Sequence, residues 1–199
     1  MRFFQKIKIR HERIDVLLLK YKCFFYYVPH FKGKSSPIIT GMDLNGEIEV
    51  YDMVKNPHLL NAGETGSGKS TQLRSVLSTL IQALPPDRLE LYLCDLKRSE
   101  FHVFRHIEHV RGLFVSTREM VPMLQYLQKE MRRRGDILDH HEVSHIDDLK
   151  EPLAYIFLCI DEVALLQSEK KIMELVEEIS AIGRALGVFL TPFFHAKTR

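Results

Sequence analysis

The run from Gly63 to Thr71 (Gly63, Glu64, Thr65, Gly66, Ser67, Gly68, Lys69, Ser70, Thr71) has residue types and spacing that can do chemistry. Its first eight positions fit G-x-x-x-x-G-K-[ST] in full, the pattern of a loop that wraps a polyphosphate. The three glycines let the backbone approach the anion closely, with N–H groups pointing inward. A helix opening at the end of such a loop adds positive potential where the phosphates sit. In this pattern Lys69 bridges the β- and γ-phosphates, Ser70 ligates Mg2+, and Thr71 contacts the α-phosphate or caps the helix.

A second run carries complementary chemistry. The apolar stretch from Ile156 to Ile160 ends in two carboxylates, Asp161 and Glu162. At the carboxyl edge of a parallel sheet these would face the ligand crevice. Asp161 is expected to hold Mg2+ through water, and Glu162 to polarise the attacking water as general base. The two runs together predict binding of a nucleoside triphosphate. The Glu directly after the Asp favours an ATPase, and the sequence has no Asn-Lys-x-Asp guanine signature. ATP and Mg2+ are therefore the expected ligands.

The pattern around these runs supplies elements to position them. Residues 58–62 read as a short apolar strand entering the loop, and residues 70–84 as a helix stopped by Pro85 and Pro86. Further strands are expected at 47–51 (after an Asn45-Gly46 turn), 89–94, 112–115 and 155–160, with a last one starting at Val188. Helices are expected over 118–139 and 169–186, the second broken by Gly187. Strands alternating with helices predict an α/β domain, a mainly parallel sheet with helices on both faces.

Composition narrows the class. The 199 residues are 45% hydrophobic and 27% charged, enough for a globular core and too ordered a composition for wholesale disorder. The formal charge of +2 is too small for a general polyanion binder. It is unevenly spread, however: residues 1–40 carry nine Lys/Arg against two Asp/Glu, while the rest is net acidic. Residues 1–37 read as a basic, aromatic appendage closed by the turn-forming stretch 32–37. The most apolar stretch, Val16 to Pro29, is broken by Lys20 and Lys22 and does not make a membrane span. Three scattered cysteines (Cys23, Cys94, Cys159) are no disulfide framework and fit a reducing cytoplasm. His102, His106 and His109, and likewise His140, His141 and His145, read as surface or packing residues rather than metal ligands, and Arg132 to Arg134 as a solvated helix face.

The flanking blocks resemble the FtsK/SpoIIIE family of DNA-pumping ATPases over roughly residues 40–190. The residues that carry the likeness are Gly41 to Gly46; Asp52 to Leu60 leading into the phosphate loop; Asp95, Lys97, Glu100 and Phe101 after a strand; Glu130 to Arg134; and Ile182 to Gly187. Leu96 replaces a proline of the family pattern. The form of the loop and of residues 20–35 is most similar to coupling proteins of integrative conjugative elements. The resemblance implies a RecA-like P-loop NTPase domain that assembles as a ring hexamer around double-stranded DNA and couples ATP hydrolysis to translocation. It makes Arg184 a candidate finger reaching a neighbour's site, and it implies a membrane or transfer-machinery partner. A protein-secretion ATPase of the same superfamily, or a nucleotide-binding remnant that turns nothing over, are the alternatives the residues leave open.

The resemblance ends near residue 190. The family continues with a Thr-Gln-Arg-Pro sensor motif, whereas this chain reads His195, Ala196, Lys197, Thr198. Those four residues can be encoded so that a shift of one base reads Thr-Gln-Arg-Pro. Residues 191–199 are accordingly expected to be an atypical, out-of-frame tail, with late strands missing and a sheet edge left exposed.

Overall fold

The computed structural model describes residues 28–57, 61–63 and 68–195. Most of the basic appendage and four loop residues, Glu64, Thr65, Gly66 and Ser67, lie outside the described residues. The chain runs β1 (Pro37–Met42), β2 (Ile48–Asp52), β3 (Asn61–Gly63), α1 (Lys69–Ala83), β4 (Leu89–Asp95), β5 (Val110–Phe114), α2 (Thr117–His141), β6 (Tyr155–Asp161), α3 (Lys170–Ile182) and β7 (Val188–His195).

β1 and β2 form a separate antiparallel hairpin with a register shift between Ile39 and Gly41. Its turn is organised by Asp43, whose carboxylate accepts the N–H groups of Asn45 and Glu47, both at 2.8 Å. The other strands form one sheet in the order β3-β7-β6-β4-β5, every pair parallel. From β3 to β4 the chain crosses the sheet in one direction, and from β5 to β6 and β6 to β7 in the other. Right-handed crossovers then put α1 on one face and α2 with α3 on the opposite face. Covered on both sides, β6 is buried at all seven positions, and its sequence accordingly lacks alternation.

Each helix buries one stripe. In α1 it is Leu73, Val76, Leu77 and Leu80, at i, i+3, i+4 and i+7. In α2 it is Met120, Met123, Leu124, Leu127, Met131 and Leu138. Ser116 caps α2 by accepting the Glu119 N–H, and Glu119 in turn accepts the Val115 N–H. Burial pushes the Cys94 thiol well above its ordinary range and the Cys159 thiol up to about 12, so both are inert core residues.

Four expectations are corrected. α3 ends at Ile182, because Gly183 starts a tight turn in which its carbonyl accepts the N–H groups of Leu186 and Val188. Gly187 closes that turn at φ 66°, and a Cβ there would stand 2.1 Å from Ile146 Cδ1. Second, the strand expected to start at Val188 extends into the stretch expected to be a tail. It continues through Thr191 and Pro192 to His195 and lies between β3 and β6. The edges of the described sheet fall on β3 and β5. Third, a strand precedes the Asn45-Gly46 turn as well as following it.

The fourth correction concerns Arg134, which is 3% exposed rather than solvated. Its Nη1 donates to Leu186 O and its Nη2 to Ala154 O, each at 2.8 Å, and its Nε donates to Glu130 at 2.9 Å. Glu130 also accepts Arg133. Burial alone would raise the Glu130 carboxyl, but hydrogen bonds from both arginines outweigh it and hold the pKa below the usual value. One guanidinium thus joins α2 to the residue before β6 and to the turn before β7.

His109 is buried while His102 and His106 are exposed. Its Nε2 lies 2.8 Å from Leu84 O and so carries the proton, leaving Nδ1 buried without a partner. Burial lowers its pKa below the ordinary 6.5, because a second proton would have no acceptor. The unfolded chain takes up that proton near 6.5 while the folded chain resists it. His109 therefore draws stability down as pH falls from 6.5 toward the folded pKa, and is neutral in effect above 6.5. The urea midpoint should fall further between pH 7.5 and 5.5 in the wild type than in His109→Gln; an equal fall in both would show that His109 is not the group responsible.

Candidate nucleotide site

Because β3, β7, β6 and β4 are parallel, their carboxyl ends share one edge. In register along it stand Gly63 opposite His195, and Asp95 opposite Asp161. After the loop from β3, α1 starts at Lys69 behind Gly68, which has φ 90° and open space where a Cβ would stand. Among the described residues no side chain caps this helix start, and no acidic residue lies in its first turn. The N–H groups and dipole of such a helix start suit an anion. Ser70 is half-buried and Thr71 exposed.

Asp161 and Glu162 are 6% and 5% exposed at the end of β6. Glu162 has φ 61°, a left-handed conformation that a non-glycine residue adopts at a cost of about 1–3 kcal/mol. That backbone reversal ends the strand and turns the side chain toward the loop after β4. There Lys97 Nζ meets Glu162 Oε2 at 2.7 Å.

The loop after β4 is held from below by Asp95, 1% exposed. Its carboxylate accepts the N–H groups of Ser99 at 3.1 Å and of Glu100 and Phe101 at 3.0 Å. The Phe101 ring is fully buried. So anchored, the loop presents Glu100 to α1, where Glu100 Oε1 accepts the Ser70 hydroxyl at 2.7 Å and Oε2 accepts Arg74 at 3.2 Å. Two pairs thus link three elements: Ser70 on α1 with Glu100 after β4, and Lys97 after β4 with Glu162, which directly follows Asp161 at the end of β6.

The donor set fits Mg2+ bound together with nucleotide phosphates. Among the described residues no group of three or more His, Cys, Asp or Glu could hold a metal ion on its own. One hydroxyl and one carboxylate at an anion-binding edge suit a cation that keeps water and phosphate oxygens in its shell.

Arg184 does not join this edge. It lies in the turn before β7, toward the opposite edge of the sheet, exposed, with Nη2 donating to Lys55 O at 3.3 Å. Sequence reasoning passed over Asp95 and Glu100 as site residues. The available signal was an aspartate ending a buried strand with a carboxylate five positions on.

The chain is 34% identical over 173 residues to the DNA translocase FtsK of Helicobacter pylori, a match covering 80% of this chain and 20% of that protein. It therefore spans about a fifth of that relative's length. Its fold matches the pCW3 conjugation coupling protein TcpA, in a monomer form with ATPγS, at a TM-score of 0.71 and 23% identity, covering 84% of this chain and 50% of that one. It matches the cytoplasmic domain of the Thermomonospora curvata Type VII secretion ATPase EccC at a TM-score of 0.70 and 27% identity, covering 82% and 22%. The α/β fold is that of P-loop ATPase domains. The FtsK/SpoIIIE family model matches residues 30–154, from the turn before β1 to the residue before β6. With that span covering more than half of the sequence, the chain belongs to the FtsK/SpoIIIE family.

Proposed function

We propose that this chain is the ATP-binding motor core of a DNA translocase, working on double-stranded DNA as one protomer of a homo-oligomeric ring, a hexamer by resemblance to the family. The observation that carries the reading is the meeting of Ser70, at the start of α1, with the loop that also pairs Lys97 to Glu162.

In this reading residues 63–71 hold the phosphates of ATP. The loop and first-turn N–H groups face the anion, Lys69 stabilises charge on the β- and γ-phosphates, and Thr71 lies at the α-phosphate end. Ser70 and Asp161 hold Mg2+, which neutralises phosphate charge when bound. Glu162 orients the attacking water and takes its proton. Lys97 shares that carboxylate in the resting chain and yields it as the water arrives. Arg184, exposed and away from its own chain's site, completes the site of a neighbouring protomer; such fingers are worth about 10³-fold or more in phosphate-loop enzymes. The protein acts on the cytoplasmic side, with a membrane or transfer-machinery partner. No described helix is long and apolar enough to cross a membrane. A second reading, a motor for protein substrates, is favoured by the 27% identity to the EccC domain.

ATP hydrolysis at low salt, with and without double-stranded DNA and with Lys69→Ala as blank, tests the proposal. Turnover stimulated by DNA is the expected result. Turnover indifferent to DNA would favour the protein-substrate reading. Nucleotide binding with no turnover above the blank would leave a binding remnant and end the motor assignment for this chain.

A further inference from the structure

Glu100 is absent from the roles above, yet it is the residue that Ser70 touches. We propose that Glu100 is a positioning residue for the metal ligand Ser70: it takes the hydroxyl proton, so that the oxygen lone pairs are left for a divalent cation at the sheet edge. The inference rests on the reading of Ser70 as a Mg2+ ligand.

A serine hydroxyl has one proton and two lone pairs and turns freely about its bond until something holds the proton. In a helix's first turn it has competing local backbone partners. Here the proton goes to a carboxylate at 2.7 Å, a charge-assisted bond of about twice the strength of a neutral one. Donation to an anion raises electron density on the oxygen, as second partners of metal ligands do elsewhere. The bond is compatible with coordination, because proton and lone pair point different ways.

Glu100 is itself held. Its second oxygen accepts from Arg74, four residues along α1 from Ser70 and on the same helix face. Its backbone N–H is fixed by the buried Asp95. Its side chain is 16% exposed. A purely structural tie between loop and helix would need the same contacts, so the test must separate nucleotide affinity from metal dependence.

The 199-residue chain is titrated with a fluorescent ATP analogue in EDTA and over a range of MgCl2, as wild type, Glu100→Gln, Glu100→Ala and Ser70→Ala, with thermal melts to confirm folding. The expected result is metal-free affinity within about twofold of wild type, with half-saturating Mg2+ raised by about 10–100-fold in Glu100→Ala and by less in Glu100→Gln, whose amide oxygen still accepts the hydroxyl. Equal loss with and without Mg2+, or no change in either, overturns the positioning role. Failure of the underlying reading looks different: wild-type affinity itself would be indifferent to Mg2+, and Ser70→Ala would change nothing.

Discussion

Replacing Glu162 by Gln is expected to reduce ATP turnover by about 10²–10⁴-fold while leaving nucleotide affinity within a few-fold. The amide keeps the carboxylate's shape and can still accept a hydrogen bond from Lys97, now 2.7 Å from Oε2. It cannot take a proton from water. The position is also one that the fold maintains at some expense, since a left-handed glutamate at the end of a buried strand is conformationally disfavoured. The conformation brings the carboxylate to Lys97. Single-turnover phosphate release, read beside binding of a fluorescent analogue, separates the two quantities. Parallel loss of binding and turnover would make Glu162 a structural residue, and undiminished turnover would place the base elsewhere.

The second large effect is on stability. Arg134→Ala should cost about 3–5 kcal/mol, because it strands the buried Leu186 carbonyl and the half-buried Ala154 carbonyl and removes a cation from a largely buried pair. For a chain of this size that corresponds to a fall in melting temperature of about 6–20 °C. Arg133 is the control. It binds the same Glu130, but its side chain is 55% exposed, and pairs of that kind contribute about 0–1 kcal/mol. Arg133→Ala should thus melt close to wild type. Two variants that melted alike would show that the buried contacts of Arg134 carry no special weight.

The contrast between these two arginines shows where sequence reading stops. Three consecutive cations look alike in a string, and only the approach of Leu186 and Ala154 separates one from the others. Local patterns were legible. The phosphate loop announces itself by spacing, β6 by an unbroken apolar run into two acids, and α1 by its i, i+3, i+4 stripe. What depended on distant partners was not. The strand β1, with Pro37 and Gly41 in six residues, is made a strand by pairing with β2. Thr191 and Pro192 fall in the stretch expected to be a tail, and proline donates nothing to a ladder, yet β7 continues past them because β3 and β6 flank it. Glu100 was visible as part of a family block but silent about its contact, which exists only because Asp95 curls the intervening loop.

The place of β7 bears on the order in which the molecule can form. Among the described residues β3 pairs with β7 alone, so Asn61 must wait for Phe193, more than a hundred residues later in synthesis. At about 5–20 residues per second the phosphate loop is made many seconds before the strand that ties it to the sheet. Closing so long a loop is entropically expensive and is slow compared with local helix and turn formation. A ribosome-bound chain can therefore assemble β4, β5, α2 and β6 while its nucleotide loop stays detached. A ligand of this loop would be recruited only when β7 slides between β3 and β6, and would act from then on as a clasp between β3 and the rest of the described sheet.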